Sequence, residues 1–296
     1  MKMWKRMAAM GLCLALMAGM LAGCGSESAP GLTLRLSMGQ EAASYDPIRA
    51  ETTEAETVLT HLYENLLRKT PDTSGGTVLS SGVAKKYDVE ENYDGTVTYT
   101  FRLRGGKWSD GVDVKAGDFV YAWQRLADPA AGSAYAPLLS IISGYDEARA
   151  SGDMSLLGVA AKNNSTFVVT LNGQYDWFLR EVCTSIATMP LRQDVVTRLK
   201  QEADQANAAL SDEEAVNRWW SDPTRLVTNG PYVVSAREDT SLVLGENTAY
   251  GKKLTGPTEL TFRFGDTATA QILYDQGVVD ALWPLSEEQM AEKKAA

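Results

Sequence analysis

The chain has 296 residues with 28 basic and 38 acidic side chains, a formal charge of −10, ordinary apolar content and three cysteines. So acidic a polypeptide argues against nucleic acid as a partner and against a basic patch clinging to anionic lipid. Its length gives enough buried surface for one large domain or two smaller ones.

The first element is not part of a folded domain. Lys2, Lys5 and Arg6 precede a stretch from Met7 to Gly23 without charge or proline. A basic start followed by an apolar run ending in small residues has the organisation of a secretory signal. As a permanent transmembrane helix the run is at the short limit for a hydrocarbon core roughly 30 Å thick. Leu21-Ala22-Gly23-Cys24 resembles the bacterial lipobox, in which the cysteine is diacylglycerol-modified and becomes the first residue of the mature chain. On that reading residues 1–23 leave, Cys24 is lipidated, and 24–31, containing GSESAP, is a short polar tether. The mature chain would then carry 25 basic and 38 acidic residues, a charge of −13. Cys13 departs with the signal, so Cys183 stands alone and no internal disulfide can form. In its apolar setting Cys183 is a packed core thiol rather than a nucleophile.

Residues 32–296 read as a folded domain. LTLRLSM, 32–38, alternates Leu32, Leu34 and Leu36 with polar residues and predicts a half-buried strand. Ala55, Val58, Leu59, Leu62, Leu66 and Leu67 recur at helical spacing and predict an amphipathic helix over about 53–69. The lone histidine, His61, falls within it as an ordinary helical residue. YDVEEN and VTYTFRL around Asp94-Gly95 predict a β-hairpin. Phe119, Val120, Trp123 and Leu126 define one face of a helix from about Ala116 that ends before Asp128-Pro129.

Further along, STFVVTLNG predicts a strand, YDWFLREV a helix, and about 194–209 a polar amphipathic helix. The segment from Asp222 to Tyr250 predicts two strands joined by a polar turn. TELTFRF and VVDALWPL predict strands flanking a helix in TATAQILYDQG. No repeat and no low-complexity tract interrupts this order. Strands and helices mix without strict βαβ alternation, which implies an α/β fold with a mixed sheet and flanking helices.

Chemistry-bearing motifs are missing: the sequence has no GxGxxG, GxxxxGK[ST], GxSxG, HExxH or paired CxxC. A single histidine and scattered cysteines give no basis for a catalytic triad or a zinc site. No catalytic, metal or cofactor assignment follows. A carboxylate pair could in principle hydrolyse glycosides, but no motif proposes one. Trp108, Trp123, Trp177, Trp219 and Trp220 fall mostly where amphipathic elements place core residues, and none is assigned to a site.

Three motifs carry a specific resemblance. SYDP (44–47), YTFRLRGGKWSDGVDVKAGDFVYAWQRLADP (99–129) and TNGPYVV (228–234), in this order behind a lipobox, resemble the substrate-binding proteins of oligopeptide ABC importers, the extracellular solute-binding family 5. The resemblance implies a two-lobed, periplasmic-binding-protein-like fold that closes on an extended peptide held by main-chain groups, then delivers it to an importer's permease subunits. It implies ligand contacts at Gln40, Glu41, Ala42 and Ala43, where small side chains permit close approach, and at Tyr135, Asn229 and Gly230. Tyr135 as a packing aromatic, and Asn229-Gly230-Pro231 as an ordinary turn, are the competing readings of those positions. An extracytoplasmic location on the outer face of the cell membrane, anchored by Cys24, follows from the same resemblance.

Family members run to roughly twice this length, so the resemblance covers the first lobe, and the acidic partner of a peptide's α-amino group falls outside it. The expectation is an incomplete clamp with impaired capture. A nickel complex, haem or an oligosaccharide as cargo, a lipid-tethered sensor or interaction module, and an extracellular hydrolase are the rival functions.

Overall fold

The computed structural model describes residues 31–211, 214–283, 285 and 290; the signal segment and Cys24 lie outside the described residues. From Thr33 onward the chain forms one compact unit. It is built on two four-stranded sheets and one hairpin.

Strand β1 (Thr33–Met38) exits through an ordered loop and a turn at Pro47–Arg49 into helix α1 (Thr53–Leu62). Thr52 caps that helix through its side chain, which accepts from the Ala55 N–H at 3.2 Å, and Glu54 and Glu56 occupy the positive first turn. Helical spacing had extended this helix to residue 69. The chain instead turns extended at Tyr63 and becomes strand β2 (Leu67–Pro71), paired with β3 (Thr77–Ser81). Asn65 explains the difference. Its Oδ1 accepts from the Leu66 N–H at 2.7 Å, while its Nδ2 donates to the Ser185 carbonyl at 2.6 Å and the Thr188 hydroxyl at 2.9 Å. A side chain that satisfies local backbone groups in this way competes with helix. Leu66 and Leu67 are still buried, so the apolar pattern was right about burial and wrong about backbone.

Strands β4 (Ala84–Glu91) and β5 (Val97–Leu103) form the hairpin expected at Asp94-Gly95, where Gly95 takes the left-handed φ of +84°. Helix α2 (Ala116–Ala127) and a short helix α3 (Tyr145–Ser151) follow. Strands β6 (Val159–Asn163) and β7 (Thr166–Leu171) then complete an antiparallel sheet in the order β4-β5-β7-β6. Phe101 and Phe167 of this sheet pack against Phe119 and Trp123 of α2, and all four are fully buried. YDWFLREV forms only a single wide turn over Phe178–Val182, with Phe178, Val182 and Cys183 buried.

Helix α4 (Gln193–Asn207) leads toward β8 (Tyr232–Glu238) and β9 (Ser241–Glu246). Strand β10 (Glu259–Phe264) and helix α5 (Thr267–Asp275) follow. The second sheet has the order β1-β10-β9-β8, with β1 and β10 parallel and the rest antiparallel. VVDALWPL contributes less than a full strand among the described residues: Ala281 bridges Leu36 in parallel, and the Asp280 N–H donates to the Arg35 carbonyl at 2.7 Å. This flanking segment buries Ser37, whose hydroxyl accepts from the Trp283 N–H at 3.0 Å. The protein is therefore a mixed α/β structure, as the element order implies.

Candidate functional site

The loop leaving β1 has little main-chain hydrogen bonding of its own. Among the described residues, no main-chain partner takes up the backbone of Gln40, Glu41, Ala42 or Ala43, although the flanking Met38 carbonyl accepts from the Gly265 N–H at 3.0 Å. Gln40 and Ala43 are exposed, Glu41 is half-buried and Ala42 is buried. Backbone without main-chain partners offers an edge along which another extended chain can hydrogen-bond.

The loop is fixed from both sides. Glu41 receives both arms of the Arg237 guanidinium, Nε at 2.6 Å and Nη2 at 2.8 Å, and its Oε1 also accepts from the Tyr45 hydroxyl at 2.9 Å. Burial alone would raise the Glu41 pKa, but the hydrogen bonds from Arg237 and Tyr45 outweigh it and hold the carboxyl below its ordinary value. Downstream, Asp46 is wholly buried and grips Arg125 of α2 with both oxygens, at 2.7 and 2.5 Å. SYDP and the DFVYAWQRLADP helix, two of the motifs behind the resemblance, thus bond directly to each other.

Tyr135 lies elsewhere. It lines a cleft of about 510 Å³ between the exit of α1 and residues 184–189, with Tyr63, Lys69, Glu181 and Met189 among the walls. Its hydroxyl donates to the Ala50 carbonyl at 2.8 Å, so the phenol tip is occupied while the ring faces the cleft. None of residues 40–43 lines this cleft.

Asn229 and Gly230 serve the frame. The Asn229 Oδ1 accepts from the Glu64 N–H at 3.0 Å and its Nδ2 donates to the Glu64 carbonyl at 2.9 Å, an imitation of a strand partner by a buried side chain. The Gly230 N–H donates to the Leu62 carbonyl at 2.8 Å, and a Cβ at residue 230 would sit 2.5 Å from the Leu62 carbonyl carbon. Glycine is required there by close approach of two backbones. Next to it, the Thr228 N–H donates to the Ser109 hydroxyl at 3.1 Å and the Ser109 N–H to the Thr228 carbonyl at 2.8 Å. TNGPY and WSDG are therefore two sides of one junction.

That junction presents Glu64, which periodicity had assigned to a helix. Glu64 is 6% exposed and is shared by Arg68 and by Lys252, whose Nζ lies 2.6 Å away. The Arg68 Nη2 also donates to the Tyr250 hydroxyl at 2.7 Å. Burial and the Glu64 charge push the Tyr250 phenol up to about 12. Residues 64 and 252 are 188 positions apart in the chain, and no sequence signal links them.

Comparison with known proteins agrees with this architecture. Residues 79–296 match the family described as bacterial extracellular solute-binding proteins, family 5 Middle. The periplasmic oligopeptide-binding protein OppA of Salmonella typhimurium is 35% identical over 212 residues, 70% of this chain and 34% of that protein. A dipeptide-binding protein of Lactococcus lactis is 29% identical over 271 residues, 88% of this chain and 44% of its own length. The crystal structure of Haemophilus influenzae OppA in complex with the peptide RPPGFSPFR superposes with a TM-score of 0.73 at 29% identity, covering 90% of this chain and 49% of that one. The chain thus spans less than half the length of each.

Proposed function

This chain belongs to the bacterial extracellular solute-binding proteins of family 5, and from that premise we propose that it takes part in capturing oligopeptides outside the cytoplasmic membrane for delivery to the permease of an ABC importer. The observation that carries this reading is the unpaired main chain of residues 40–43. A peptide laid along that edge gains ladder hydrogen bonds that depend on its backbone and not on its side chains. Ala42 and Ala43 let the two backbones approach, and Glu41, neutralised by Arg237, fixes the loop without presenting a free charge. Tyr135 contributes a ring to the neighbouring cleft wall, while Asn229 and Gly230 act by holding the frame. The work is binding, and no turnover accompanies it.

In this reading residues 1–23 are the export signal, Cys24 carries the diacylglycerol anchor, 24–31 is the tether and 32–296 is the binding domain. The names of the relatives support a periplasmic or equivalent extracytoplasmic setting. Incorporation of labelled fatty acid by the wild-type chain, lost in Cys24→Ser, is the expected outcome for the anchor. Calorimetric titration of the chain from Gly25 onward with di- to pentapeptides tests capture. Heat of binding that is independent of peptide sequence supports main-chain recognition, whereas binding confined to one side-chain composition rejects it.

A further inference from the structure

We propose that the cavity between the β5–α2 connection and the turn at 250–252 is a binding site for a small carboxylate. The cavity, about 200 Å³, is lined by Glu64, Arg104, Lys107 and Lys252 together with Gly105, Gly106 and Gly251. At about 30 Å³ for each water, it has room for a group of a few heavy atoms and not for a nucleotide.

Its charges do not balance internally. Lys107 is neutralised by Asp113, with Nζ to Oδ1 at 2.7 Å. Glu64 is a single carboxylate serving two cations, Arg68 and Lys252. Arg104 has no salt-bridge partner among the described residues, and its Nε is buried without a hydrogen-bond acceptor. Burial holds the Lys252 ammonium below its ordinary pKa against the opposing pull of Glu64, with the Arg68 and Arg104 charges adding smaller pushes in the same direction.

A planar guanidinium whose charge has no salt-bridge partner among the described residues is complementary to a two-oxygen acceptor. A monovalent carboxylate would pair Arg104 and lower the net charge of Glu64, Arg68, Lys252 and Arg104 from +2 to +1. A divalent phosphate would stand against Glu64, which faces the same cavity. Gly251 holds its turn with φ of +72°. The carboxylate could come from a peptide's C-terminus or from a free organic acid. This inference does not rest on peptide capture along residues 40–43.

The probe is sodium acetate, titrated into the purified full chain against sodium chloride at constant ionic strength, with saturation transfer to the acetate methyl protons and the thermal midpoint as readouts. Saturable transfer and a rising midpoint specific to acetate are expected. Arg104→Gln should weaken acetate binding at least tenfold, while Arg102→Gln, which removes the same charge outside the cavity, should leave it unchanged. Equal transfer and midpoint in acetate and chloride, or an Arg104→Gln titration equal to wild type, would overturn the proposal. Displacement of acetate by a tripeptide but not by its C-terminal amide assigns the peptide terminus, and displacement by neither assigns a free acid. Displacement by both equally would overturn carboxylate recognition here. Acetate binding is scored without any peptide, so its failure is distinguishable from a failure of peptide capture.

Discussion

The family resemblance implies ligand contacts both in the loop at 40–43 and at the junction at 229–230, yet the two are satisfied in opposite ways. At the junction the facing backbones are tied together: Asn229 takes both main-chain atoms of Glu64, and Gly230 binds Leu62 so closely that a methyl group does not fit. In the loop the main chain has no main-chain partner among the described residues, while the side chain of Glu41 is held on two sides. A family motif can mark a ligand contact or the frame that aims one.

The contrast is broken most forcefully at the frame. Asp46→Ala strips Arg125 of its bidentate partner inside the core and should cost about 3–5 kcal/mol, since a buried charge is left unpaired. A chemical-denaturation midpoint measures it; a loss below about 1 kcal/mol, the range of an exposed pair, would mean the pair is solvated. Gly230→Ala comes next. The clashing atoms belong to the Leu62 and Tyr63 backbone and cannot rotate away, so a loss of about 3 kcal/mol is expected. If Gly230 instead touched ligand and little else, peptide affinity would fall while the unfolding midpoint stayed put.

Much of this frame was legible from sequence, because period-two and helical patterns report burial. The 97–103 hairpin strand, the 116–127 helix and the 259–264 strand follow that logic. The pattern failed at 63–69, where the spacing of Leu62, Leu66 and Leu67 fits a helix, but the Asn65 and Asn229 side chains capture the backbone in extended form. Strands β3 and β6 escaped notice because their residues are mostly exposed and carry no alternation. The candidate site was half legible. The 40–43 segment follows only from the family resemblance, whereas the Glu64–Arg68–Lys252 cluster depends on a contact across 188 positions.

On the loop side the effects are smaller and sharpen the comparison through pH. The Glu41 pKa is lowered in the folded protein, so its contribution is complete above the ordinary value of 4.5 and is lost as pH falls through the folded value. Wild type should therefore lose more thermal stability below that pH than Glu41→Gln, which has no carboxylate to protonate. Identical slopes of midpoint against pH would mean the Arg237 contact does not restrain the loop.

The smallest effect is the most direct probe of the open edge, because it leaves the protein untouched. A peptide N-methylated at one amide keeps its side chains and loses one donor. If residues 40–43 pair with it as a strand, alternate amides point at the edge, so methylation should weaken binding at every second position and spare those between. Each lost hydrogen bond is worth about 0.5–1.5 kcal/mol, or roughly twofold to twelvefold in affinity at 25 °C. Calorimetry across a series of singly methylated pentapeptides reads the alternation. A uniform loss along the peptide would point to general steric exclusion, and no loss at any position would mean that the unpaired backbone of Gln40 to Ala43 is satisfied by water alone.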